Sequence, residues 1–85
     1  MMQQTSLQAF EDIKDTLGRR QLQVYRTIIV LGSATDYKIA NWLHWPINWV
    51  TGRRNELEKN GYIYCIGTAK NPMTNKQNRL YAIKL

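Results

Sequence analysis

Apolar positions along this chain recur first with the period of a helix and then with the period of a strand, and the change falls at Gly61. Leu7, Phe10, Ile13 and Leu17 form an apolar stripe that ends before Gly18, and Thr5 with Gln8 three residues on makes a capping box ahead of it. From about Arg20 to Leu31 the apolar residues Leu22, Val24, Tyr25, Ile28, Ile29 and Leu31 are too many for one narrow stripe, which marks a helix central to the core. Gly32-Ser33 ends it. A shorter helix, capped by Thr35, runs through Ile39 and Ala40 to Leu43. Only His44-Trp45-Pro46 separates it from the next helix, which starts after Pro46 and stops at Asn60-Gly61, where glycine can take a left-handed conformation. Beyond Gly61 the pattern alternates. Tyr62 to Ile66 and Leu80 to Leu85 read as strands, and Thr68 to Arg79 reads as a long polar loop between them.

Helix, tight turn, helix and then a two-stranded wing is the order of a winged helix-turn-helix. The fold class expected is α+β: three helices plus a β-hairpin wing, with an extra amphipathic amino-terminal helix. Residues 1–85 read as a single winged-helix domain, with the amino-terminal helix in 1–18, the helical core in 19–60, the helix-turn-helix in 35–60 and the wing in 61–85. Within it, the run Thr-Asp-x-x-Ile-Ala-x-x-Leu-x-Trp-Pro-Ile-Asn-x-Val-Thr-Gly-Arg-Arg-Asn-Glu-Leu, from Thr35 to Leu57, resembles small phage and prophage winged-helix DNA-binding proteins. It is more loosely similar to the MarR-like pattern. The resemblance spans roughly residues 19–85 in element order, and its specific part is the helix-turn-helix; what it implies is DNA binding. MarR-like helices usually carry apolar residues where this chain has Arg53 and Arg54, so that group's contacts do not transfer directly.

Composition narrows the field. Eighty-five residues with 44% hydrophobic content can hold one small core, and no apolar stretch approaches the ~20 residues of a membrane span. The amino terminus lacks the basic start and apolar segment of a signal peptide, so a cytoplasmic location is expected. The one cysteine, Cys65, cannot form an internal disulfide and reads as a small core residue of a strand. With a single histidine, His44 in the turn, neither a zinc cluster nor a cysteine–histidine pair can be assembled, and six scattered carboxylates suggest no active site. The chain is therefore read as neither an enzyme nor a cofactor binder, with no small-molecule ligand evident.

The formal charge of +6 is unevenly placed. Residues 1–18 carry one lysine against Glu11, Asp12 and Asp15, net −2, whereas residues 19–85 carry eleven lysines or arginines against Asp36, Glu56 and Glu58, net +8. A part so strongly of one sign attracts polyanions. The acidic first helix is instead suited to packing, on its own domain or against a second copy, and a homodimer is expected because helix-turn-helix proteins commonly read paired half-sites.

On a helical wheel Val50, Leu57, Arg54 and Ile47 fall on the side of the helix that faces the domain. Asn48, Gly52, Asn55 and Lys59 fall opposite, with Thr51 and Glu56 at the edges. Asparagine can pair bidentately with adenine, Thr51 can reach a base edge or a phosphate, and Arg53 on the flank can reach phosphate or guanine. Gly52 costs about 1 kcal/mol relative to alanine inside a helix, and close approach to a ligand explains it where internal packing does not. Arg54 points inward, toward Asp36 or Glu58. Lys70, Lys76 and Arg79 give the wing tip a charge suited to the phosphate backbone. The proposed contacts with double-stranded DNA are thus Asn48, Thr51, Gly52, Arg53, Asn55, Lys59, Lys70, Lys76 and Arg79. Trp45 reads as the apolar plug of the corner and Ala40 as the small residue that lets the helices cross. Trp42 and Trp49 keep a second reading open, a protein-docking module in a replication or packaging complex, and RNA is a third.

Overall fold

The computed structural model describes residues 6–85, as α1 (Ser6–Ile13), α2 (Arg19–Leu31), α3 (Asp36–Leu43), α4 (Ile47–Lys59), β1 (Ile63–Lys70) and β2 (Gln77–Ile83). The capping box expected at Thr5 lies outside the described residues. α1 stops a turn earlier than its apolar pattern suggests, because Thr16 turns back on the helix end: its backbone N–H and its hydroxyl both donate to Ile13 O, at 2.9 and 2.8 Å. The stripe is also shifted. Ala9 is the buried residue, Phe10, Ile13 and Leu17 lean on the core, and Leu7 is 70% exposed. Leu7 sits two residues, about 200° of helical rotation, from Ala9, so a contact made through the small alanine turns Leu7 away from the domain.

α2 runs through the centre and buries Val24, Tyr25, Thr27 and Ile28. At its start Gln21 Oε1 accepts from the Gly18 N–H at 2.8 Å, and at its end Gly32, at φ 81°, turns the chain. α3 begins as the sequence indicates, with the Thr35 hydroxyl accepting from Lys38 N at 3.2 Å. His44, at φ 57°, then reverses the chain, and Trp45 N donates to Ala40 O at 3.0 Å. Trp45 is half-buried against the core and Ala40 is buried beside it. α4 contributes the fully buried Val50 and Leu57 and ends where Gly61, at φ 79°, lets Tyr62 N reach Leu57 O at 3.0 Å.

β1 and β2 pair antiparallel from Ile63 opposite Ile83 to Lys70 opposite Gln77, with a bulge between Cys65 and Gly67. The hairpin corrects two sequence readings. The loop does not run from Thr68 to Arg79: Thr68–Lys70 and Gln77–Arg79 are paired strand, and six residues, 71–76, make the turn. They suffice because Asn71 Oδ1 accepts from Met73 N at 2.9 Å and Asn75 adopts φ 64°, two local devices that reverse a chain in little space. Cys65, read as core, is exposed. Its cross-strand partner Tyr81 occupies the core, while the bulge after Cys65 breaks the alternation that would have turned the thiol inward. A further strand contact lies outside the sequence reading: Ala34 exchanges two 2.9 Å backbone hydrogen bonds with Tyr81, which ties the start of α3 to the wing.

Tyr25 and Tyr81 give this core an alkaline limit. Burial raises the Tyr25 phenol above its ordinary value of 10.0, with Asp12 adding to it; Tyr81 is also raised, mainly by burial and against the opposing pull of Arg54. A phenol whose folded value is raised contributes stability that is complete below the unfolded value and is lost as pH climbs through the folded one. Thermal melts from about pH 9 to 11 are therefore expected to show stability falling above about 10, and Tyr25→Phe should flatten that fall. An equally steep decline in Tyr25→Phe would assign the loss to other groups.

Candidate nucleic-acid interface

The interface is organised by Arg54. Its guanidinium donates through Nε to Asp36 Oδ1 and through Nη2 to Asp36 Oδ2, both at 2.9 Å, and through Nη1 to Glu58 Oε1 at 2.9 Å. Its carbon Cζ also stands 4.6 Å from the centroid of the Tyr81 ring. One side chain thus joins α3, α4 and β2, which fixes the angle between the second helix of the pair and the wing. The Asp36 hydrogen bond is the first cause that raises the Arg54 pKa, so the group is a fixed cation.

Arg53 is engaged as well, and this qualifies its place among the expected contacts. Its Nη2 donates to Glu56 Oε2 at 3.2 Å, and Nε lies 2.7 Å from Glu56 Oε1 as a close charge contact off the hydrogen-bond direction. Gln21 of α2 donates to the same carboxylate at 3.1 Å. The Nε–Nη2 edge of Arg53 meets a ligand only on leaving Glu56, a half-exposed pair of small worth. Together the two arginines occupy Asp36, Glu56 and Glu58, which are all the side-chain carboxylates of residues 19–85. Among the described residues, Arg19, Arg20, Arg26, Lys38, Lys59, Lys70, Lys76, Arg79 and Lys84 have no carboxylate within 4.0 Å.

Asn48, Asn55 and Lys59 are exposed along the outer side of α4. A Cβ placed at Gly52 would meet no atom within 4 Å, so no internal contact requires a glycine there. Thr51, at the edge of this face, donates to Asp36 Oδ2 at 3.2 Å. Thr51 and Arg79 line one small cleft of about 230 Å³ with Asn78 and Tyr81, which puts the middle of β2 beside α4. Lys70 is set apart from them. It lines a larger cleft of about 930 Å³, between α3 and the wing tip, with Tyr37, Lys38 and His44. Lys76 is exposed on the turn itself. The nine expected contacts therefore fall into an α4 group joined by Arg79 and a wing-tip group of Lys70 and Lys76.

Two features escaped the sequence reading. Trp49, 42% exposed, packs edge-on to Trp45 with ring centroids 6.1 Å apart, and the Arg20 guanidinium lies 4.4 Å over the Trp49 ring. The charges at Arg19-Arg20 are plain in the sequence. Nothing there says that the start of α2 lies against the first turn of α4. Among the described residues no group of three or more His, Cys, Asp or Glu could hold a metal ion, and no helix is long and apolar enough to cross a membrane.

Compared with known proteins, the chain matches no family model, and no curated protein matches it in sequence. Solved structures do match in shape. A mutant MarR from E. coli superposes with a TM-score of 0.65 at 15% identity over 93% of this chain and 56% of the other. A protein titled transcriptional regulator PA4135 gives 0.61 at 20% identity over 93% and 57%. The chain spans a little over half the length of these two proteins. The likeness establishes the fold: four helices and a two-stranded wing in a winged-helix arrangement.

Proposed function

We propose that this protein is a sequence-specific double-stranded-DNA-binding protein, a small transcriptional regulator or phage accessory factor acting as one domain, with α4 in the major groove and the wing on the backbone. The observation that carries the reading is the disposition of charge around α4. Its outer side offers amides, a hydroxyl, a glycine and Lys59, while every side-chain carboxylate of residues 19–85 is held by Arg53 or Arg54. What remains free to meet a ligand is cationic, as a polyanion requires. Asn48, Thr51, Gly52 and Asn55 would read base edges, with Arg53 joining them on release from Glu56. Lys59, Arg79, Lys70 and Lys76 would meet phosphates. The docking-module reading draws on Trp42 and Trp49, 51% and 42% exposed, and predicts that α4 is not needed for nucleic acid.

A duplex shift assay at physiological salt with competitor DNA and RNA separates these readings. Binding is expected to fall with salt at about 0.9 logarithmic units per phosphate neutralised. Lys76→Ala with Arg79→Ala should reduce that slope by up to about 1.8 while sequence preference is retained. An unchanged slope would remove the wing from the interface, and preference for RNA competitor would overturn duplex recognition. Light scattering on the same complex counts whether one copy or the expected dimer occupies the site.

A further inference from the structure

We infer that Arg20 and Trp49 form a second phosphate contact, on the flank of α4 opposite the wing, so that the recognition helix is bracketed by cations on both sides. This rests on the duplex-DNA reading above. Trp49 and Thr51 lie about 200° apart around α4, two residues at about 100° each. Thr51 shares its side with Arg79, while Trp49 carries Arg20 on the other. An α-helix with its side chains is about 10–12 Å across and the major groove is about 12 Å wide, so cations on opposite flanks meet opposite sugar–phosphate walls.

The local construction suits the task. Arg20 has no carboxylate within 4.0 Å, so its charge is available. With Cζ 4.4 Å from the centroid of the indole, the guanidinium lies over the ring face, and N–H groups not turned to the ring are free to form a bidentate bond to phosphate. Trp49 is itself held edge-on by Trp45, whose backbone N–H is bonded to Ala40 O at 3.0 Å, so the stack is supported from the corner of the helix pair. An arginine already ordered on a rigid ring loses less side-chain freedom on binding than a free one. Arg20 is the binding residue and Trp49 the positioning residue.

The test compares Arg20→Ala with Arg26→Ala, an equal change of net charge. Arg26 stands six residues beyond Arg20 on α2, about 9 Å along the axis and about 240° round it, so it leaves the face that carries Arg20 over Trp49. On duplex DNA, Arg20→Ala is expected to lower the salt slope by about 0.9, which over a fourfold rise in salt is about a three-and-a-half-fold smaller loss of affinity than in the wild type. Arg26→Ala should keep the wild-type slope, and melting curves confirm that both variants are folded. A merely structural stack would move the melting temperature and leave the slope unchanged. If wild-type protein binds duplex DNA and Arg20→Ala keeps the wild-type slope, or matches Arg26→Ala, the flank contact is overturned while the reading stands. If the wild type itself fails to bind duplex DNA, the reading falls and the contact with it.

Discussion

Arg54→Met is expected to destabilise the protein by about 2–4 kcal/mol, the largest loss for any single polar side chain in the fold. The Arg54 and Asp36 side chains are only 13% and 16% exposed, so removing the cation leaves a carboxylate that water cannot solvate fully. The Thr51 hydroxyl at 3.2 Å is then its remaining side-chain donor. Breaking a buried pair costs about 3–5 kcal/mol, and the partial exposure here brings the figure down. Loss of the Tyr81 stack and of the packed arginine stem acts in the same direction. A domain this small is stabilised by only about 5 kcal/mol or a little more, so urea denaturation should show a large shift of midpoint. Adding Asp36→Leu should recover much of the loss, because the stranded charge is gone. A loss below about 1 kcal/mol in Arg54→Met would show that the network is a screened surface cluster and not the brace between α3, α4 and the wing.

Gly52 separates function from stability at one position. Since a side chain there meets open space, Gly52→Ala should stabilise the fold by about 0.5–1 kcal/mol through helix propensity alone. Gly52→Leu should likewise keep or raise the melting temperature. If α4 sits deep in the major groove, however, the added side chain occupies the space the bases need. Affinity for the specific duplex should then fall by at least about 1 kcal/mol, about fivefold, the scale of one good base contact. A docking module using Trp42 and Trp49 leaves this face free and expects no such loss. Undiminished specific binding by a folded Gly52→Leu protein would remove Gly52 from the groove.

Sequence by itself determined the element order, because it rests on local rules. Thr35 could be read as a cap, Pro46 as a helix start and Gly61 as a stop, and each device acts within a few residues of where it is written. The inward turn of Arg54 was legible too. Its angle from Val50 is fixed by helical rotation, and Asp36 and Glu58 were the carboxylates within its reach.

Tertiary structure decided what depends on neighbours distant in sequence. The place of Cys65 followed from the bulge just after it, which alternation alone cannot reveal. The strand contact at Ala34 is a single pair of backbone bonds, with no side-chain period to announce it. Leu7 faces out because α1 meets the domain through Ala9, a residue too small to stand out in a hydrophobic pattern. Arg20 and Trp49 are 29 positions apart in the chain and joined by the packing of α2 on α4. The two parts of the proposed groove contact therefore belong to different levels: the outer face of α4 is written locally in one helix, and the cations that flank it are brought there only by the folded chain.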